Sequence, residues 1–232
     1  MHGALIGEAL AIGAMLAALA YGTVFLGRPP TALRTIVKTL AVGLLAAASW
    51  ALGLPLGLTA GLALSSLGDA FLAGDPKRWL PFGLASFLTA HLVYIGLFVT
   101  RALGRHHGFY APADTFGLTG VRLLGMIAAV LAAGSVLRWL WSGLGALRWA
   151  VVAYVAAIVA MVCASFALPD NLWRAMVGAA LFFASDAILA AQLFRQRFVG
   201  RIGELSVWWL YWFGQGFFFY AIVNDTLARF AP

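Results

Sequence analysis

Charge is what this chain has least of. Only 10% of its 232 residues are Asp, Glu, Lys or Arg, where a soluble domain carries about 25%. Cysteine is nearly absent as well. The single Cys163 excludes an intramolecular disulfide framework and a multi-cysteine metal site, and within an apolar run it reads as a small buried hydrophobe. The apolar runs show no period-two alternation, which excludes the strands of a transmembrane β-barrel. The 15 basic residues give a net charge of +7, yet they form no basic face or stripe, so a nucleic-acid partner is excluded too. What is there in abundance is hydrocarbon: 63% of the residues are hydrophobic and the mean hydropathy is +0.95. These values specify an all-α integral membrane protein, and nothing in residues 1–232 divides it into more than one domain.

Eight runs approach the ~20 residues a helix needs to cross a bilayer. They are Ala4 to Leu26, Leu33 to Gly53, Leu56 to Ala73, Leu80 to Thr100, Gly120 to Trp141, Trp149 to Leu168, Leu172 to Leu193 and Leu205 to Leu227. The breaks between them carry turn signals: Gly27-Arg28-Pro29-Pro30, Pro55, Gly74-Asp75-Pro76, Ser142-Gly143 and Pro169-Asp170-Asn171. The first run has neither a basic n-region nor a clear cleavage site, and is read as a span and not as a signal peptide. The longest connection, Arg101 to Thr119, holds His106, His107 and Asp114. Adjacent histidines in a loop more often face solvent than bind metal, and no metal or cofactor is expected.

The basic residues then orient the bundle. With eight spans, ten of them (Arg28, Arg34, Lys38, Lys77, Arg78, Arg138, Arg148, Arg195, Arg197 and Arg201) fall on one side and five on the other. The positive-inside rule puts the first side in the cytoplasm and both termini outside.

Orientation converts sequence position into depth. Asp69 lies about five residues, and Asp186 about seven, from the cytoplasmic ends of their spans, roughly 8–11 Å deep at 1.5 Å per residue. Ionisable groups in a span are costly and tend to face the bundle interior with a use. Lys38 starts the second span on the same side, where it either snorkels to the interface or neutralises a phosphate or a carboxylate. Tyr154 lies about a turn into the sixth span, and His91 and Gln215 fall nearer the middle of the membrane. One polar site opening to the cytoplasm is expected, built on Asp69 and Asp186 and supported by Lys38, His91, Tyr154 and Gln215. Two carboxyls in a poorly solvated chamber repel one another, which favours one proton between them. Such a pair supplies an acid and a base for hydrolysing an ether or acetal-like bond. It serves proton-coupled transport equally well, and a non-enzymatic lipid-binding role is a third alternative.

Particular segments narrow the choice. Leu67-Gly68-Asp69-Ala70-Phe71-Leu72, the Gly83 to Tyr94 run containing His91, Tyr154 with Met161, the Phe183 to Ala190 run containing Ser185-Asp186, and Tyr211 with Gln215 together resemble the bacterial YhhN family, which is related to the animal lysoplasmalogenases. The resemblance covers nearly the whole chain. The sequence departs from the family pattern at Thr39, where proline is usual, and at Gln196-Arg197, where Asn-Lys is common. The resemblance implies an eight-helix enzyme of the bacterial inner membrane that cleaves the vinyl ether of lysoplasmalogens, with Asp69 and Asp186 as its catalytic pair. Its ligand would be a single-chain ether lysophospholipid within the membrane, with no obligatory protein partner.

Overall fold

The computed structural model describes residues 2–74, 76–103 and 120–230. Among these the chain is all-helical and contains no strand. Eight α-helices follow in order: α1 (His2–Ala20), α2 (Ala32–Ala51), α3 (Leu56–Ala73), α4 (Pro76–Leu103), α5 (Gly120–Leu140), α6 (Arg148–Phe166), α7 (Trp173–Arg195) and α8 (Arg201–Phe230). Seven spans, one on each of α1 to α7, are long and apolar enough to cross a membrane, and the chain is a membrane protein. The 30-residue α8 reaches about 45 Å at 1.5 Å per residue. It falls outside the seven because its tryptophans, tyrosines and Gln215 carry polar tips that lower its hydropathy.

Local chemistry sets the helix ends, and it moves several of them from where the apolar runs put them. The Thr31 hydroxyl accepts the Arg34 N–H at 3.2 Å and caps α2. The first span is not α-helical to its end: Tyr21–Phe25 form a π-turn, closed by the Leu26 N–H on the Tyr21 carbonyl at 2.9 Å. α4 starts at Pro76 and α8 at Arg201, each four residues before the apolar run does. Hydropathy marks where lipid begins, whereas a helix continues through its charged interfacial turn. For the same reason Arg101 belongs to α4 and not to the connection after it. Two short 3₁₀ turns, Trp141–Gly143 and Gly145–Leu147, join α5 to α6. Asp75, His106, His107 and Asp114 lie outside the described residues.

The core lies along the facing sides of α3, α4, α7 and α8, where Leu58, Leu62, Tyr94, Phe98, Phe182 and Phe218 are fully buried. α7 and α8 cross in backbone contact: a Cβ at Gly178 would meet the Gly214 carbonyl oxygen at 2.8 Å, and one at Gly214 would meet that of Gly178 at 2.9 Å. Only glycine permits that approach. Indole N–H groups pin α8 to its neighbours, Trp208 to the Ala18 carbonyl and Trp212 to that of Ala41, both at 3.1 Å. At the far end from the two aspartates, Arg101 pairs with Asp225 and Arg122 with Asp170. Leu5, Ile12 and Leu16 on α1 and Val121, Leu124 and Leu131 on α5 are exposed, as a lipid-facing belt requires.

Candidate active site

Asp69 sits near the end of α3 and is 2% exposed. The preceding Gly68 lets α4 come close, since a Cβ there would lie 2.6 Å from the Phe87 ring. Both carboxylate oxygens are occupied. Oδ1 lies 3.2 Å from Lys38 Nζ, and Oδ2 accepts the Tyr211 hydroxyl at 2.6 Å. Among the described side chains, Lys38 of α2 is the cation that reaches this carboxylate. Its ammonium is steered by Tyr21, whose ring centroid is 5.9 Å from Nζ and which the π-turn holds in a buried position. One turn before Lys38, Arg34 donates to the Phe25 and Ala73 carbonyls at 3.3 and 3.0 Å and to the Tyr21 hydroxyl at 3.0 Å. It ties the ends of α1 and α3 to α2 and so fixes the lysine opposite Asp69.

Asp186 of α7 is partly buried and differently furnished. Its Oδ2 accepts the Tyr154 hydroxyl of α6 at 2.5 Å, and it makes no ion pair among the described residues. Ser185 beside it faces α8, donating to the Val207 carbonyl at 2.8 Å. Asp69, Lys38, Tyr154, Asp186 and Tyr211 all line one cavity of about 280 Å³, whose remaining walls are mostly aliphatic and aromatic side chains of α3 to α8. Four of the six candidate residues therefore meet on one space.

The other two stand behind its wall. His91 is fully buried, and its Nδ1 lies 2.6 Å from the Phe87 carbonyl oxygen, an acceptor, so Nδ1 carries the proton. Its Nε2 has no hydrogen-bond partner, and the ring stands edge-on to Tyr154 with centroids 5.2 Å apart. Gln215 is also fully buried. It accepts from the Tyr94 hydroxyl at 2.6 Å and donates to Ser65 Oγ at 3.0 Å, linking α8 to α3 and α4.

Tyr211 completes the cavity; the sequence marked it only beside Gln215 in a family-like segment, with no role at the site. The signal for it was the buried stripe of α8, where Trp208, Tyr211, Gln215, Phe218 and Ile222 recur at helical spacing. The site is a mirrored pair of phenol–carboxyl contacts with only one cation between them. It offers a carboxyl at Asp69 held between an ammonium and a phenol, a second carboxyl at Asp186 with a phenol on Oδ2, and two hydroxyl donors. Among the described residues no three His, Cys, Asp or Glu side chains gather as metal ligands.

Two curated proteins named lysoplasmalogenase, from Mycobacterium bovis and Mycobacterium tuberculosis, are each 35% identical to the chain over 182 residues, covering 74% of it and 64% of the relative. The chain thus spans just under two thirds of the length of these relatives. No solved structure matches it. The model of the YhhN family matches residues 33–222, a stretch that holds every polar residue lining the cavity, and the chain belongs to that family.

Proposed function

We propose that this protein is a lysoplasmalogenase-like intramembrane hydrolase. It would cleave the vinyl ether of a lysoplasmalogen to a fatty aldehyde and glycerophosphoethanolamine or glycerophosphocholine. The family and the name borne by the two mycobacterial relatives support this reading. The observation that carries it is the unlike furnishing of two carboxyls on one apolar cavity. Asp69, with Lys38 and Tyr211 on its two oxygens, is the ionised member. Asp186, with no ion pair among the described residues and with Tyr154 on Oδ2, holds a proton on Oδ1.

The chemistry follows from the substrate's electron flow. The ether oxygen pushes electrons into the double bond, so the vinylic carbon remote from oxygen is basic. Asp186 protonates that carbon, and the oxocarbenium ion that results lies beside the Asp69 carboxylate. Water adds to the carbon next to oxygen and passes a proton to Asp69, giving a hemiacetal. As the hemiacetal collapses, Asp69 returns that proton to the departing glycerol oxygen and the hemiacetal hydroxyl re-protonates Asp186. The aldehyde and the alcohol leave, one water is consumed, and both carboxyls end as they began.

The protein works in this reading as one eight-span domain of the inner membrane, with both termini outside and the cavity opening to the cytoplasm. Its ligand is a single-chain lipid taken from the membrane, and no protein partner takes part. The test is aldehyde release from a vinyl-ether lysolipid by purified, folded protein, with an ester lysolipid as the unreactive control. Absence of aldehyde release by folded wild-type protein would return the cavity to binding or transport.

A further inference from the structure

The cavity is graded along its length in a way the two carboxyls do not use. Going inward, its lining passes on α6 from Val151 through Tyr154 to Ile158, and on α7 from Phe194 through Asp186 to Phe183. The inner end is wholly apolar. At the outer end the connection between α5 and α6 is pressed onto the end of α7. A Cβ at Gly143 would lie 2.2 Å from the Phe194 carbonyl oxygen, and Leu144, 2% exposed, packs with Leu140 and Val151 beneath the turn.

Two guanidinium groups gather on this connection. Arg195 donates from Nη1 to Ser142 Oγ at 2.7 Å. Arg148, the first residue of α6, holds its Cζ 4.7 Å from the centroid of Trp141. The Arg148 Nε is buried and has no hydrogen-bond partner. Neither arginine makes an ion pair among the described residues, whereas Lys38, the cation inside the cavity, is matched by Asp69.

We infer that Arg148 and Arg195 form the head-group end of this cavity and take the phosphodiester of the single-chain vinyl-ether lipid, an inference that rests on the hydrolase reading above. The dimensions agree. Seven covalent bonds separate the vinylic carbon that accepts the proton from the phosphorus atom, roughly 8 Å at about 1.2 Å per bond of extended chain. Arg148 precedes Tyr154 by six residues on α6, a rise of roughly 9 Å. Arg195 lies one residue beyond the cavity wall at Phe194, and its bond to Ser142 holds it at the rim beside the α5–α6 connection. With phosphate at this rim, the double bond lies at the level of Asp186 and the alkyl chain runs inward past Ile158, Phe183 and Phe87. A phosphodiester supplies one negative charge and the acceptor oxygens that guanidinium forks favour. A bilayer phosphate has the same chemistry, and the test must separate the two sources.

The full chain is assayed in non-ionic micelles free of phospholipid, on an alkenyl-glycerophosphocholine and on the phosphate-free alkenylglycerol of equal chain length. Arg148→Gln and Arg195→Gln should each lower the ratio of kcat/KM for the first substrate over the second by about ten-fold, as loss of a charge-assisted hydrogen bond does. The fall should lie mainly in KM, and Arg195→Lys should recover part of it. An equal fall on both substrates overturns the inference, because it means a structural role. A fall that appears only when phospholipid vesicles replace micelles also overturns it, because the arginines then serve the bilayer. Binding of a saturated 1-alkyl-glycerophosphocholine, followed by tryptophan fluorescence, tests the site without turnover and should weaken about ten-fold in both glutamine variants. If that weakening is seen while no vinyl ether releases aldehyde, the hydrolase reading falls and the phosphate site stands. If aldehyde is released with no dependence on either arginine, the phosphate site falls alone.

Discussion

The Tyr154 hydroxyl donates to Asp186 Oδ2 at 2.5 Å across two helices, and that bond is matched by the one between Tyr211 and Asp69 at 2.6 Å. The two phenols make the carboxyls look alike, and Lys38 makes them differ. An amide in place of either carboxyl keeps the shape and loses the acid or the base. Asp69→Asn and Asp186→Asn should each lower turnover of a vinyl-ether lysolipid by at least ~10²-fold, within the usual range of general acid–base contributions. The double variant should be little worse than either single one, as for groups that act as a unit. Aldehyde release by folded variants measures both, and near-wild-type turnover in either single variant removes that residue from the mechanism.

The proposed mechanism requires one proton between the two carboxyls. At low pH both are protonated, and no carboxylate remains to hold the cation or activate water. At high pH both are ionised, and no acid remains to protonate carbon. The kcat/KM profile should therefore fall on both sides, with limbs that belong to the coupled pair and not to either residue. In Asp69→Asn the acidic limb should vanish from the residual activity while the alkaline limb persists. An acidic limb of full depth in that variant would assign it to some other group.

The positive-inside rule predicts the Arg195 to Arg201 connection in the cytoplasm and the Arg105 region outside. Single cysteines at Arg105 and Arg197, each in a Cys163→Ala background, should label from opposite faces of the membrane with an impermeant thiol reagent. Labelling of both from one face would break the eight-span arrangement, and the depth argument for the two aspartates with it.

How much of this was legible in the sequence follows the range of the forces involved. Hydropathy is local, so the apolar runs gave the helices and their order, while the ends of α4 and α8 shifted because a helix does not stop where lipid stops. The cost of a buried charge is also local, and it marked Asp69, Asp186 and Lys38. Their pairing was not local. Whether Lys38 meets a phosphate or a carboxylate depends on the Tyr21 π-turn and on Arg34, which no run of hydropathy reports. The role of Tyr211 was hidden among the aromatics of α8, because its carboxylate partner lies 142 residues away. His91 and Gln215 carried the same polar signal as the cavity residues, and tertiary partners put them behind its wall.

The Lys38–Asp69 contact gives the most direct test of which carboxyl is ionised. Its side chains are 13% and 3% exposed, so truncating the lysine would leave an anion without a counter-charge in a poorly solvated place. Breaking a buried pair from one side costs about 3–5 kcal/mol, most of it for the stranded charge. Lys38→Met should therefore lower thermal stability in detergent clearly, and adding Asp69→Asn should restore most of the loss by removing that charge. The same Lys38→Met change paired with Asp186→Asn should restore nothing, since Asp186 makes no ion pair with Lys38. Thermal unfolding of these three variants and of the two single asparagine variants, beside wild type, reads these couplings directly. If Lys38→Met alone is as stable as wild type, Asp69 is neutral in the membrane. The acid and base assignments would then exchange, with Asp69 delivering the proton and Asp186 facing the cation.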